Sequence, residues 1–150
     1  MKIIVMCAAF LCLAGGLQAQ PKSVKEFPRE DSIVKTQLEH IFKLSAKKDC
    51  RSLAPMIAYK GADAKRKLND VLNYADSTER EQADGICSGL ADQEKKVKKI
   101  TYDQFFLQKE KDKMWYYWKL QFAMKSGDKD SATFGFIKLK DKFVLATVNQ

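Results

Sequence analysis

Residues 114–124 read MWYYWKLQFAM, and the fold is decided by whether this run is a helix or a strand. The apolar residues recur every second position. Met114, Tyr116, Trp118, Leu120, Phe122 and Met124 fall on one side, and Trp115, Tyr117, Lys119, Gln121 and Ala123 on the other. Alternation in a run rich in aromatics predicts a long strand. The first set is continuously apolar and is expected to face packed helices. The second begins aromatic and ends polar, so it is expected to be partly exposed or to meet a partner.

Working outward, the same period of two holds on both sides. Ile100–Lys109 reads as a preceding strand, joined through the polar connection Glu110–Lys113. Lys125–Asp130 reads as a turn, followed by strands Ser131–Lys140 and Phe143–Asn149 around Asp141-Lys142. Four strands joined by short loops predict an antiparallel meander.

Upstream of residue 98 the period is helical. Val34, Leu38, Ile41, Phe42 and Ala46 share a face of a helix expected over Asp31–Lys47. Asp49 is a candidate N-cap for a shorter helix through Leu53, Met56 and Ile57, with Pro55 disfavouring its interior. Leu68, Val71 and Leu72 suggest a third helical piece over Lys65–Tyr74. A longer helix is expected after Asp76, with Thr78 and Glu81 spaced as a capping box and Ala83, Ile86, Cys87 and Leu90 on its inner face. Helices followed by a meander make an α+β layout: N-terminal helices packed on a curved four-stranded antiparallel sheet.

Residues 1–19 read as a cleavable export signal. Lys2 precedes an apolar run from Ile3 to Ala14, Gly15-Gly16 break it, and Leu17-Gln18-Ala19 offers a small-residue cleavage site. The run is shorter than the roughly 20 residues needed to span a bilayer. Neither Cys7 nor Cys12 is preceded by the small residues of a lipid-attachment site. Residues 20–30 (QPKSVKEFPRE) are expected to be a flexible leader, and 31–150 a single domain. The expected location is periplasmic or secreted.

The full chain carries a formal charge of +8, of which cleavage removes only Lys2. Acids are interleaved with the lysines, as in Lys109-Glu110-Lys111-Asp112-Lys113, which argues for a solvated surface over a nucleic-acid patch. Cys50 and Cys87 are the two cysteines left after cleavage. An exported chain with one pair suggests either a disulfide or two buried thiols. With the single His40 far away, no zinc site is expected, and nothing calls for a cofactor.

The chain resembles the nuclear-transport-factor-2-like, or cystatin-like, cone superfamily. Three stretches carry the resemblance: IFKLSAKKD (Ile41–Asp49), like the first helix running into a second; MWYYWKLQFAM (Met114–Met124), like the long central strand; and FIKLKDKFVL (Phe136–Leu145), like the final hairpin. Within that superfamily it is most similar to small exported bacterial domains. The resemblance implies a helix-covered cone whose enzymatic members use a buried carboxylate, tyrosine or histidine as acid or base. Other members bind ligands or assemble subunits, so fold alone does not choose.

The candidate pocket residues are Tyr102, sharing a face with Gln104 and Phe106, and Asp103, sharing one with Phe105 and Leu107, together with Tyr116. Trp115 and Tyr117 point away from the helices and mark a candidate contact surface. His40 sits beside the apolar stripe of its helix and reads as a surface residue. No Ser/His/Asp set, glycine-rich phosphate loop or metal-ligand cluster is present. The leading expectation is therefore an exported, non-enzymatic binding domain holding a small ligand or protein in the cone pocket or on the aromatic face. The alternatives are a small isomerase or dehydratase working through Asp103, Tyr102 or Tyr116, and a module that dimerises through its sheet.

Overall fold

The computed structural model describes residues 27–149, so the expected signal and the leader up to residue 26 lie outside the described residues. Helix α1 spans Pro28–Ala46, and α2 spans Cys50–Leu53 and runs into a 3-10 turn over Ala54–Met56. Helix α3 spans Ser77–Lys96, followed by β1 (Val97–Glu110), β2 (Lys113–Met124), β3 (Lys129–Leu139) and β4 (Lys142–Asn149). The four strands form one antiparallel sheet in the order β1-β2-β3-β4. The α+β class and the meander match expectation, as does the helices-then-sheet order that the cone resemblance implies.

Helix α1 begins three residues earlier than expected, because Pro28 occupies its first turn, where a missing N–H is harmless. Asp49 caps α2 by accepting from Ser52 N at 3.2 Å, and Pro55 limits the helix to a 3-10 continuation. For α3 the cap is Asp76, not Thr78: its side chain accepts from Glu79 N at 3.0 Å. The disulfide alternative is realised, Cys50 of α2 being joined to Cys87 of α3 across 37 residues.

The helix expected over Lys65–Tyr74 does not form. Residues 64–69 form turns, and two of the segment's donors make strand-like pairings: Leu68 N donates to Tyr59 O at 2.9 Å and Leu72 N to Ile57 O at 3.0 Å. Ala58 N donates to Leu145 O at 2.8 Å, which seats this paired segment along the outer edge of β4. Leu68 takes a left-handed turn at φ 57°. The three apolar residues that suggested one helix face are divided between two cores, Leu72 in one and Leu68 and Val71 against the other.

The larger core lies between the helices and the sheet. Val34, Leu38 and Ile41 of α1 meet Phe105, Leu120, Phe122, Phe134 and Phe136 of the strands. Each such side chain contributes roughly 1.5–3 kcal/mol by leaving water. Met114, at the hairpin end of the apolar row, is exposed instead. The smaller core lies on the opposite face of the sheet, around Trp115, Tyr117, Ile137 and Val144.

Candidate functional site

Tyr102 and Asp103 adjoin in sequence but serve opposite faces of the sheet. A register shift separates them: Tyr102 pairs with Leu120, whereas Gln104 pairs with Lys119. The extra residue in β1 resets the alternation. Tyr102 therefore sides with Phe105, not with Gln104 and Phe106 as alternation alone suggests, and packs edge-on against Trp118 at 5.2 Å. Asp103 is exposed and accepts from Gln121 Nε2 at 3.1 Å, with Lys119 Nζ at 3.9 Å.

Tyr116 sits four positions along β2 from the partner of Tyr102, about 13 Å at ~3.3 Å per residue. It packs edge-on against Phe143 at 4.8 Å. Burial, with Glu39 adding to it, pushes the Tyr102 hydroxyl up to about 12. Burial also raises Tyr116. The three candidate acid–base residues are thus not brought together, and the two tyrosines stay protonated at neutral pH. The concave face where they were expected to line a pocket is packed with side chains, Phe105, Phe122, Phe134 and Phe136 being fully buried there. His40 is exposed.

Trp115 and Tyr117 do not form an open contact surface. They are only 8% and 7% exposed, because the chain covers them with its own 57–72 segment through Ala58, Leu68 and Val71. Phe106, Tyr117 and Trp115 stack in a row with centroids 5.0 and 6.0 Å apart. Tyr117 lies over Gly135 of β3, where an added Cβ would meet its ring at 2.6 Å. Its hydroxyl donates to Glu110 Oε1 at 3.1 Å, and burial reinforced by that carboxylate pushes its pKa up to about 12.

What the fold does leave open is a cleft between α3 and β4. Two adjoining hollows of about 290 and 330 Å³ share Ile86 and Val148 on their walls. Ile57, Leu72, Leu145 and Leu90 complete an apolar lining, with Lys60 and Gln82 at the first hollow and Gln93 at the second. Two local features keep the cleft open. Beyond the bridge from Ile57 to Leu145, β4 is the last strand of the sheet and gains no further bridge on its outer side among the described residues. On α3, Gly89 lines the second hollow and leaves open space where a side chain would stand, its Cβ position having nothing within 4 Å.

Val148 is 36% exposed at the lip, and the Gln93 Nε2 amide is buried with no hydrogen-bond partner. The arrangement suits an apolar molecule. Ile57, Leu72, Ile86 and Leu90 read in the sequence as core-facing residues, not as the wall of a cleft. The one available signal was Gly85-Ile86-Cys87-Ser88-Gly89, two glycines one turn apart inside a helix.

No family model matches the chain, and no curated protein matches it. Among solved structures, it is similar to a Campylobacter jejuni protein named as an NTF2-like transpeptidase, with 12% identity and a TM-score of 0.49. The match covers 75% of this chain and 96% of that one. At this level of similarity no activity passes from that protein to this chain.

Proposed function

We propose that the protein is an exported binding domain that holds an apolar small molecule in the α3–β4 cleft. The observation that carries this reading is the cleft itself, an apolar trough with Gly89 of α3 on its wall. Its combined size is in the range of small-ligand sites, and an apolar lining with few polar groups is the usual makeup of such sites. The Cys50–Cys87 disulfide supports an oxidising compartment, in keeping with the expected export signal. No helix among the described residues is long and apolar enough to cross a membrane.

Catalysis has little support, since Tyr102 and Asp103 lie on opposite sides of the sheet and Tyr116 is remote from both. A neutral solvatochromic dye, Nile red, tests the binding reading. Saturable fluorescence enhancement at one site, abolished by Gly89→Trp and by Val148→Asp, is the expected result. Enhancement that persists in both variants places the dye elsewhere and overturns it.

A further inference from the structure

The two hairpins at one end of the sheet carry the same turn, Lys111-Asp112-Lys113 between β1 and β2 and Lys140-Asp141-Lys142 between β3 and β4. In each, the first lysine is held in the left-handed region, at φ 55° for Lys111 and 53° for Lys140. A side chain there is strained, a strain glycine would avoid.

Beside these turns lies a second cleft of about 640 Å³, on the other side of the sheet from α3. Lys113, Lys138, Lys140 and Lys142 contribute to its wall, and Pro55, Val71, Leu139 and Val144 supply apolar surface. Three of these lysines belong to one run, Lys138-Leu139-Lys140-Asp141-Lys142, and Lys113 comes from the other hairpin, 25 residues before it. Asp70 and Asp141 also line the cleft, so its wall carries more lysines than carboxylates rather than lysines alone. Asp70 is committed to Arg66, whose Nε donates to it at 2.8 Å, and also accepts from Val71 N at 2.8 Å. Lys113 is positioned by donating to Asn69 Oδ1 at 2.8 Å. None of the four lysines has a carboxylate within salt-bridge distance among the described residues.

We propose that this cleft binds a small molecule carrying a phosphate monoester on an apolar body. The ammonium groups of Lys113, Lys140 and Lys142 would hold the dianion, and Val71, Leu139 and Val144 the body; the Lys138 ammonium lies over the Phe143 ring at 5.9 Å instead. Lysine heads are compact point charges that suit a phosphate approached from several sides, where arginine would suit a planar carboxylate. The cleft volume fits a small ligand. The acids Asp112 and Asp141 at the turn tips disfavour a nucleic-acid strand, which needs a continuous basic track.

Phenyl phosphate is the probe, followed by amide chemical-shift mapping at neutral pH. Expected shifts cluster at Val71, Leu139, Lys140 and Val144, and inorganic phosphate binds about tenfold more weakly for want of the apolar part. Lys140→Gly and Lys111→Gly form a matched pair, because both relieve a left-handed turn but only Lys140 lines the cleft. Both variants should unfold at higher urea. Lys140→Gly should bind phenyl phosphate about tenfold more weakly, and Lys111→Gly should bind it unchanged. Competition by phosphatidic-acid vesicles would assign the phosphate to a lipid headgroup, and its absence to a soluble ester. Equal losses in Lys140→Gly and in a distant Lys95→Gln control, or shifts spread over all basic regions, would overturn the proposal, as would tighter binding of a single-stranded oligonucleotide.

Discussion

Arg66 gathers the 57–72 segment onto α3. Its guanidinium donates to both oxygens of Glu79, at 2.5 and 3.1 Å, and to Val71 O at 3.2 Å. It also lies over the Tyr59 ring at 4.1 Å. Glu79 is buried and accepts from Asn73 N at 2.6 Å as well. The Arg66 guanidinium holds the Glu79 carboxyl below its ordinary value of 4.5, against the opposing effect of burial. A depressed carboxylate stabilises the fold above the unfolded-state value, and that contribution is lost as pH falls through the folded value. Urea midpoints should therefore fall as pH drops below 4.5. Glu79→Gln should show a lower midpoint at neutral pH and a flatter acid limb, and an unchanged acid limb would contradict this role.

Gly135 makes a second residue-scale case. An alanine there collides with the Tyr117 ring, so Gly135→Ala should destabilise by about 1–3 kcal/mol in urea unfolding. These contacts could not be read in the sequence. Arg66 and Glu79 look like two ordinary surface charges until the segment between them folds back. The faces of Tyr102 and Asp103 were misread because strict alternation cannot reveal one inserted residue.

Among the elements, β2 was legible because eleven residues obey one period without interruption, whereas β1 carries a register shift against β2 and the β3–β4 pairing carries another. Helix α1 was legible for the same reason with a different period. Residues 65–74 were not, since Leu68, Val71 and Leu72 suit a short helix or a folded-back pair equally, and long-range bonds to Ile57 and Tyr59 decide it. Helix α3 carries a deliberate-looking weakness at Gly85 and Gly89. Since both Cβ positions are open, Gly85→Ala and Gly89→Ala should each stabilise by roughly 0.5–1 kcal/mol. A loss of stability in either would mean that the open space on α3 is misplaced. The disulfide ties the same helix to α2 and closes a loop of 37 residues. Reduction should lower unfolding stability by about 3–4 kcal/mol, seen as a shift of the urea midpoint with and without reductant.

At the scale of the whole molecule, aromatic side chains fill the concave face and the chain's own middle segment covers the far one. The open volume is thereby moved to the edges, to the apolar cleft between α3 and β4 and the lysine-walled cleft by the two hairpins. Sequence patterning gives the sheet and its apolar face, but edge clefts arise where elements fail to meet, and no residue pattern marks a gap. The most direct test is native mass spectrometry of the wild type and Gly89→Trp, each purified from the protein's own host. A defined extra mass on the wild type that is missing from the variant is the expected result. A wild-type chain that is bare, or a variant that keeps the same added mass, would contradict a ligand held between α3 and β4.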